Sequence, residues 1–212
     1  MNPHAIVVAW LVHLMMLWAP PEHRSKTYIP EAKETTEQAT KRYIEIAQAV
    51  VDVAYDPEEA PIVTMKDESK ARAHSALLML SIALMESGLR RDVDFGIGKQ
   101  GRGDGGRSWC LMQIQLGPGK VPDSDPEVGG WTGKDLVADR RKCFRTAMRM
   151  IRRSFTACQA NPFPHRLAAY ASGSCDKGHA ESASRLGFWS RQKKRLIAWP
   201  QMKEEKDEPV LR

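Results

Sequence analysis

The chain has 212 residues, 42% of them hydrophobic, enough to bury one core of ordinary single-domain size. Its formal net charge of +6 means that a partner met through charge is a polyanion, whether nucleic acid, anionic lipid or an acidic wall polymer. The four cysteines include no CxxC pair, which excludes a compact zinc knuckle and leaves two disulfides, in any of three connectivities, or buried thiols.

In chain order, residues 5–19 (AIVVAWLVHLMMLWA) form an apolar run relieved only by His13. The run is shorter than the roughly 20 residues of a membrane span and has the length of a signal-peptide core. No Lys or Arg precedes it, and WAPPEH is a poor cleavage site. Residues 1–30 are expected to be a hydrophobic signal or anchor segment with a Pro-bounded linker at 20–30; a buried or membrane-touching helix is the alternative. Export would place the cysteines where disulfides persist.

Residues 31–200 read as one domain and 201–212 as a charged, frayed tail. Thr35 or Thr36 caps a helix running to about Tyr55, with Tyr43, Ile44, Ala47, Val50, Val51 and Ala54 as its apolar stripe. Two prolines in residues 56–63 stop it. Thr64 with Asp67 resembles a capping box and opens the next helix, which begins polar, passes His74, read as a satisfied structural histidine, and turns wholly apolar from Ala76. That run, ALLMLSIALMESG, ends in Glu86, and Gly88 supplies a left-handed stop.

Residues 89–122 are dense in glycine and read as loop. Gly101, Gly103 and Gly106 mimic a nucleotide-binding spacing but follow no strand, and no Walker lysine is present. Trp109 to Leu116 is extended or turn-rich, with Met112 and Ile114 buried. Trp131, Thr132 and Asp135 open a third helix to about Phe155, apolar at Leu136, Cys143, Phe144, Ala147, Met148, Ile151 and Phe155. Its other side carries Arg140, Arg141, Lys142, Arg145, Arg149, Arg152 and Arg153, the strongest electrostatic footprint in the chain or only a solvated face. Short and long helices follow over 164–171 and 181–199. The fold class is mainly α.

Three stretches carry chemistry. Residues 86–88 (ESG), 111–114 (LMQI) and 168–173 (AAYASG) resemble, in order and spacing, the glutamate-serine, glycine-leucine-methionine-glutamine-isoleucine and alanine-tyrosine-asparagine motifs of the soluble lytic transglycosylase family. That family shares its fold with goose-type lysozyme. The resemblance covers about residues 64–200 and implies a lysozyme-like helical domain with a glycine-rich active-site loop and a small irregular β element. It places the catalytic acid/base on Glu86, and substrate contacts on Ser87, Met112, Gln113 and Tyr170, the tyrosine hydrogen-bonding toward the glutamate. The motif's glycine is replaced by Cys110 and its asparagine by Ala171, which suggests a disulfide bracing the segment and one polar glycan contact fewer.

The chemistry fits independently. Cleaving a glycosidic bond needs an acid on the leaving oxygen, and an apolar setting such as ALLMLSIALM keeps a glutamic acid protonated near neutrality. In the family's reaction the same carboxylate then takes the proton of the C6 hydroxyl of N-acetylmuramic acid, giving a 1,6-anhydro end without water. A lysozyme-type hydrolase would want a second carboxylate, for which Asp92, Asp94 and Asp104 in the glycine-rich loop are the candidates. Trp109 and Trp131 are candidates to face sugar rings.

The expected partner is therefore peptidoglycan glycan strands, in the periplasm or outside the cell, with inner-membrane anchoring through residues 5–19 and a cell-envelope or secretion assembly as further options. No cofactor, metal or specific nucleic acid is expected. The contrasting readings are a peptidoglycan hydrolase and an inactive basic module that binds polyanions, for which Glu86 would be dispensable.

Overall fold

The structure, a computed structural model, describes residues 3–20, 33–98, 103–116, 131–197 and 210–211. Most of the predicted linker, Gly101, Gly117, Gly119 and residues 201–209 of the predicted tail lie outside them. The described residues are mainly α-helical, with two two-stranded antiparallel sheets. The chain divides into two compact units, Met1–Val53 with Ala83–Thr146, and Ala54–Ile82 with Ala147–Arg212.

The first unit begins with α1 (Pro3–Trp18) and α2 (Thr36–Ala54). In α1, Val7, Trp10, Leu11, Leu14 and Met15 are buried at the three- and four-residue spacing of a helix face. The helix is fastened beyond its end where the Tyr43 hydroxyl donates to Ala19 O at 2.7 Å. This corrects the expectation of a membrane anchor: residues 5–19 lie largely within a packed helix. No helix among the described residues is long and apolar enough to cross a membrane.

Thr35 caps α2 reciprocally, its Oγ1 accepting from Gln38 N at 3.2 Å while Gln38 Oε1 accepts from Thr35 N at 2.9 Å. The buried stripe is Tyr43, Ile46, Ala47, Val50, Val51 and Ala54; Ile44, expected in it, is 47% exposed. Arg42 is buried on the same face and is discussed below.

In the second unit, Asp67 caps α3 (Glu68–Ser87) by accepting from Lys70 N at 3.0 Å. The expected Thr64 cap is instead part of β1 (Val63–Thr64), whose partner is β4 (Val210–Leu211). The described end of the predicted frayed tail is thus a strand. Residues of α3 from Ala71 to Ala83 are buried without a break. The guanidinium of Arg72 gathers the carbonyls of Ala54, Asp56 and Glu59, closing the chain between α2 and β1.

The predicted third helix is two. A capping box, Thr132 with Asp135, opens α5 (Gly133–Ala138); Asp139 is extended, and its carboxylate accepts from Arg141 N at 2.8 Å to open α6 (Arg140–Ala157). Asparagine-like side chains compete with the backbone in this way, so aspartate breaks a helix when it caps the next. α7 (Ala168–Ser172) and α8 (His179–Ile197) complete the second unit.

Candidate active site

Glu86 stands in the last turn of α3, which emerges from the core there: Met85 is 43% exposed and Glu86 half-buried. The helix stops because Gly88 and Leu89 take left-handed conformations, φ 57° and 54°. Buried Ser87 fixes that stop. Its hydroxyl donates to Ala83 O at 2.7 Å and accepts from Leu89 N at 3.1 Å. The residue expected to meet substrate therefore spends its hydroxyl on the helix end.

The LMQI stretch is a hairpin. β2 (Ser108–Trp109) pairs with β3 (Ile114–Gln115), and the turn between them is left-handed at both ends, with φ 55° at Cys110 and 47° at Gln113. Gln113 closes the turn on itself, its N and Nε2 donating to Cys110 O at 3.0 and 3.1 Å. Met112 and Ile114 are both buried, so Met112 is placed in the core rather than along an open groove. The disulfide Cys110–Cys143 ties the turn to α6. Gly133, the first residue of α5, lies on the indole of Trp109, where any β-carbon would overlap the ring. Trp131 carries Lys142 Nζ 5.2 Å from its ring centre.

Two of the three candidate second carboxylates are not loop residues. Asp92 and Asp94 lie in a short helix, α4 (Arg91–Asp94), and both are buried. Asp92 is held by Arg90 through both oxygens. Asp94 is held by Arg140, with Nε at 2.9 Å and Nη2 at 2.8 Å, and by buried Arg42 at 3.4 Å. Each of these two buried carboxylates is committed to its ion pair. Asp104, exposed in a 3-10 turn at Asp104–Gly106, accepts from the Ser108 hydroxyl at 2.6 Å.

In the second unit, half-buried Tyr170 lies on α7, which Gly173 ends in a left-handed conformation. Cys158–Cys175 closes the segment around it. Both predicted disulfides therefore exist, with a connectivity that spacing left open. The arginine-rich side of α6 is largely neutralised within each unit. Arg140 reaches Glu45 at 3.0 Å and Arg141 reaches Asp52 at 2.9 Å in the first. In the second, Arg149 and Arg152 converge on buried Glu59 at 2.6 and 2.8 Å.

His74 is buried beside Trp189, edge-on at 6.5 Å between ring centres, and its Nδ1 has no hydrogen-bond partner among the described residues. The histidine is thus buried, as a structural one would be, with one of its two ring nitrogens unpaired among the described residues. Burial, then Lys193 and Lys70, push its pKa down to about 4.

Arg42 and Glu59 were not anticipated as anchors. Arg42 left a trace, a cation beside Tyr43 on the apolar stripe of α2; Glu59, in the Pro-bounded loop, left none. A cleft of about 440 Å³ in the first unit is lined by Ile44, Glu45, Gln48 and Asp52 of α2 and by Asp139, Arg140 and Arg141. Its charges pair with one another. Among the described residues no group of three or more His, Cys, Asp or Glu could hold a metal ion. No protein-family model, no curated protein and no solved structure matches the chain.

Proposed function

We propose that the protein is a lytic transglycosylase with a lysozyme-like domain, cleaving the β-1,4 bond between N-acetylmuramic acid and N-acetylglucosamine in peptidoglycan. The observation that carries this reading is the backbone at Cys110. Where the transglycosylase motif has glycine, this chain has φ 55°, a conformation that favours glycine. The motif's residue type therefore fits the turn even though cysteine has replaced it, and the Cys110–Cys143 bridge supports the turn instead.

Glu86 is the acid/base of this reading. Its proton passes to the glycosidic oxygen as the C1–O bond breaks, and the acetamido oxygen closes on C1. The C6 hydroxyl then displaces it, returning its proton to Glu86 and leaving a 1,6-anhydro ring. The route needs one carboxylate, whereas a hydrolase of the ordinary two-carboxylate kind needs two. The commitment of Asp92 and Asp94 to arginines favours the lyase over the hydrolase. The ion pairing along α6 likewise disfavours the polyanion-binding module. Two disulfides support an oxidising compartment, the periplasm or the extracellular space, where the substrate lies.

The test is mass spectrometry of fragments released from purified peptidoglycan. Anhydro ends are expected; reducing ends would establish the hydrolase instead. Absence of release by folded, disulfide-bonded protein would sink both.

A further inference from the structure

We propose that Cys158–Cys175 is a reversible dithiol–disulfide couple that exchanges with thiols at Cys175, whereas Cys110–Cys143 is a permanent staple. The property stands apart from glycan cleavage. The two bridges differ in access. Cys110 and Cys143 are 2% and 1% exposed, one in the β2–β3 turn and the other within α6, so both ends of that bridge are shielded. Cys158, just past the end of α6, is buried too, but Cys175 is half-buried in the connection 173–178 between α7 and α8. Ser172, Gly173, Asp176 and Lys177 around it are exposed, and Gly173 and Gly178, at φ 76° and 68°, bound a stretch that belongs to neither helix.

Thiol–disulfide exchange needs a thiolate in line with the bond, so the approachable sulfur is the one attacked. Attack therefore falls on Cys175. One thiolate of a dithiol bonds to Cys175 Sγ as the bond to Cys158 breaks, and Cys158 leaves with the electron pair and takes up a proton. The reagent's second thiolate then displaces Cys175 in the same way. Two electrons and two protons pass from the dithiol, which becomes a disulfide, to the bridge, which becomes two thiols.

The couple is reversible because other bonds keep the cysteines together. Asn161 spans them, its N donating to Cys158 O at 2.9 Å and its Nδ2 to Cys175 O at 2.8 Å. His179 Nε2 donates to the same Cys175 oxygen at 2.7 Å, and its ring is stacked on His165 with 4.4 Å between centres. The middle of the loop is fastened separately. Buried Ser154 accepts from Tyr170 N at 3.0 Å and donates to Arg166 O at 2.9 Å, while buried Ser182 accepts from Leu167 N at 3.0 Å and donates to Pro164 O at 2.7 Å. Reduction thus frees the turn around Cys175 without releasing the segment, an opening local to that turn. The loop-closure entropy that opposes re-formation is already largely lost.

The experiment exposes full-length, oxidised protein in native buffer to dithiothreitol, quenches with acid at intervals, alkylates the new thiols and locates them by mass spectrometry. Cys158 and Cys175 should become labelled about tenfold or more faster than Cys110 and Cys143, with the far-UV circular dichroism of the folded protein retained. After the reductant is removed, oxidised glutathione should restore the bridge, and Asn161→Ala should slow that step about threefold or more. Given oxidised glutathione alone, Cys158→Ser should carry the adduct on Cys175, while Cys175→Ser should leave Cys158 unmodified.

Equal labelling rates for the two bridges would overturn the proposal, as would loss of the far-UV signal in step with labelling of Cys175. A bridge that does not re-form, reclosure indifferent to Asn161→Ala, or an adduct on Cys158 rather than Cys175 would overturn it as well. Should a cysteine variant not fold, the order of labelling in wild type decides.

Discussion

Arg140 grips Asp94 in parallel, Nε 2.9 Å from Oδ1 and Nη2 2.8 Å from Oδ2, and buried Arg42 meets the same carboxylate from α2. A carboxylate so engaged is structural, and the distinction from Glu86 is measurable. Asp94→Asn should cost about 3–5 kcal/mol in chemical denaturation, because it strands guanidinium charge in a desolvated place. Glu86→Gln should change stability by about 1 kcal/mol or less and abolish glycan release. Retained cleavage in the Glu86 variant would remove that residue from the chemistry. A stable Asp94 variant would show the pair to be dispensable to the fold.

Gly133 has no room for a side chain because the Trp109 ring occupies it. Gly133→Ala should lose about 1–3 kcal/mol by overpacking. If the indole is the cause, Gly133→Ala should cost little more in a Trp109→Ala background, a coupling that a double-mutant cycle measures. Additive losses would locate the strain elsewhere.

His74 makes stability depend on pH in a definite direction. Its pKa falls from 6.5 to about 4 on folding, so between those values the unfolded chain holds a proton that the folded chain refuses. The stabilisation is complete above pH 6.5, declines as pH drops, and is exhausted below about 4. The full span is about 3 kcal/mol. His74→Phe should flatten this part of the stability profile. An unaltered profile would place the dependence on other groups.

The disulfides should contribute unequally. On the chain-entropy account, the Cys110–Cys143 bridge, at a sequence separation of 33, is worth about 4 kcal/mol, and Cys158–Cys175, at a separation of 17, about 3 kcal/mol. Paired Cys→Ala variants measured by denaturation would order them. A reductant should lower the midpoint of wild type and leave the variant lacking both bridges unchanged.

Where the sequence spoke locally, it was legible. Thr35 and Gln38 cap α2, Thr132 and Asp135 cap α5, and Gly88 ends α3, because each relation spans three or four residues. What failed depended on distant packing. Residues 5–19 are apolar almost throughout, and only the packing of α1 shows that Val7, Trp10, Leu11, Leu14 and Met15 are its buried face. The candidate site was legible as three stretches, but not the inward turn of Ser87, the burial of Met112 or the arginine partners of Asp92 and Asp94. Those follow from which groups tertiary packing brings within hydrogen-bond reach.

The interleaving of the two units bears on the order in which the chain can acquire structure. All of the first unit has been made once Thr146 is synthesised, but by then residues 54–82 have also appeared, and their own unit still lacks everything from Ala147 onward. At roughly 5–20 residues per second, the apolar stretch of α3 up to Ile82 waits several seconds for that remainder. The nascent protein therefore passes through a stage in which one unit can close while the most hydrophobic helix segment of the other lacks its covering, and a chaperone that binds exposed apolar segments would find it at that stage.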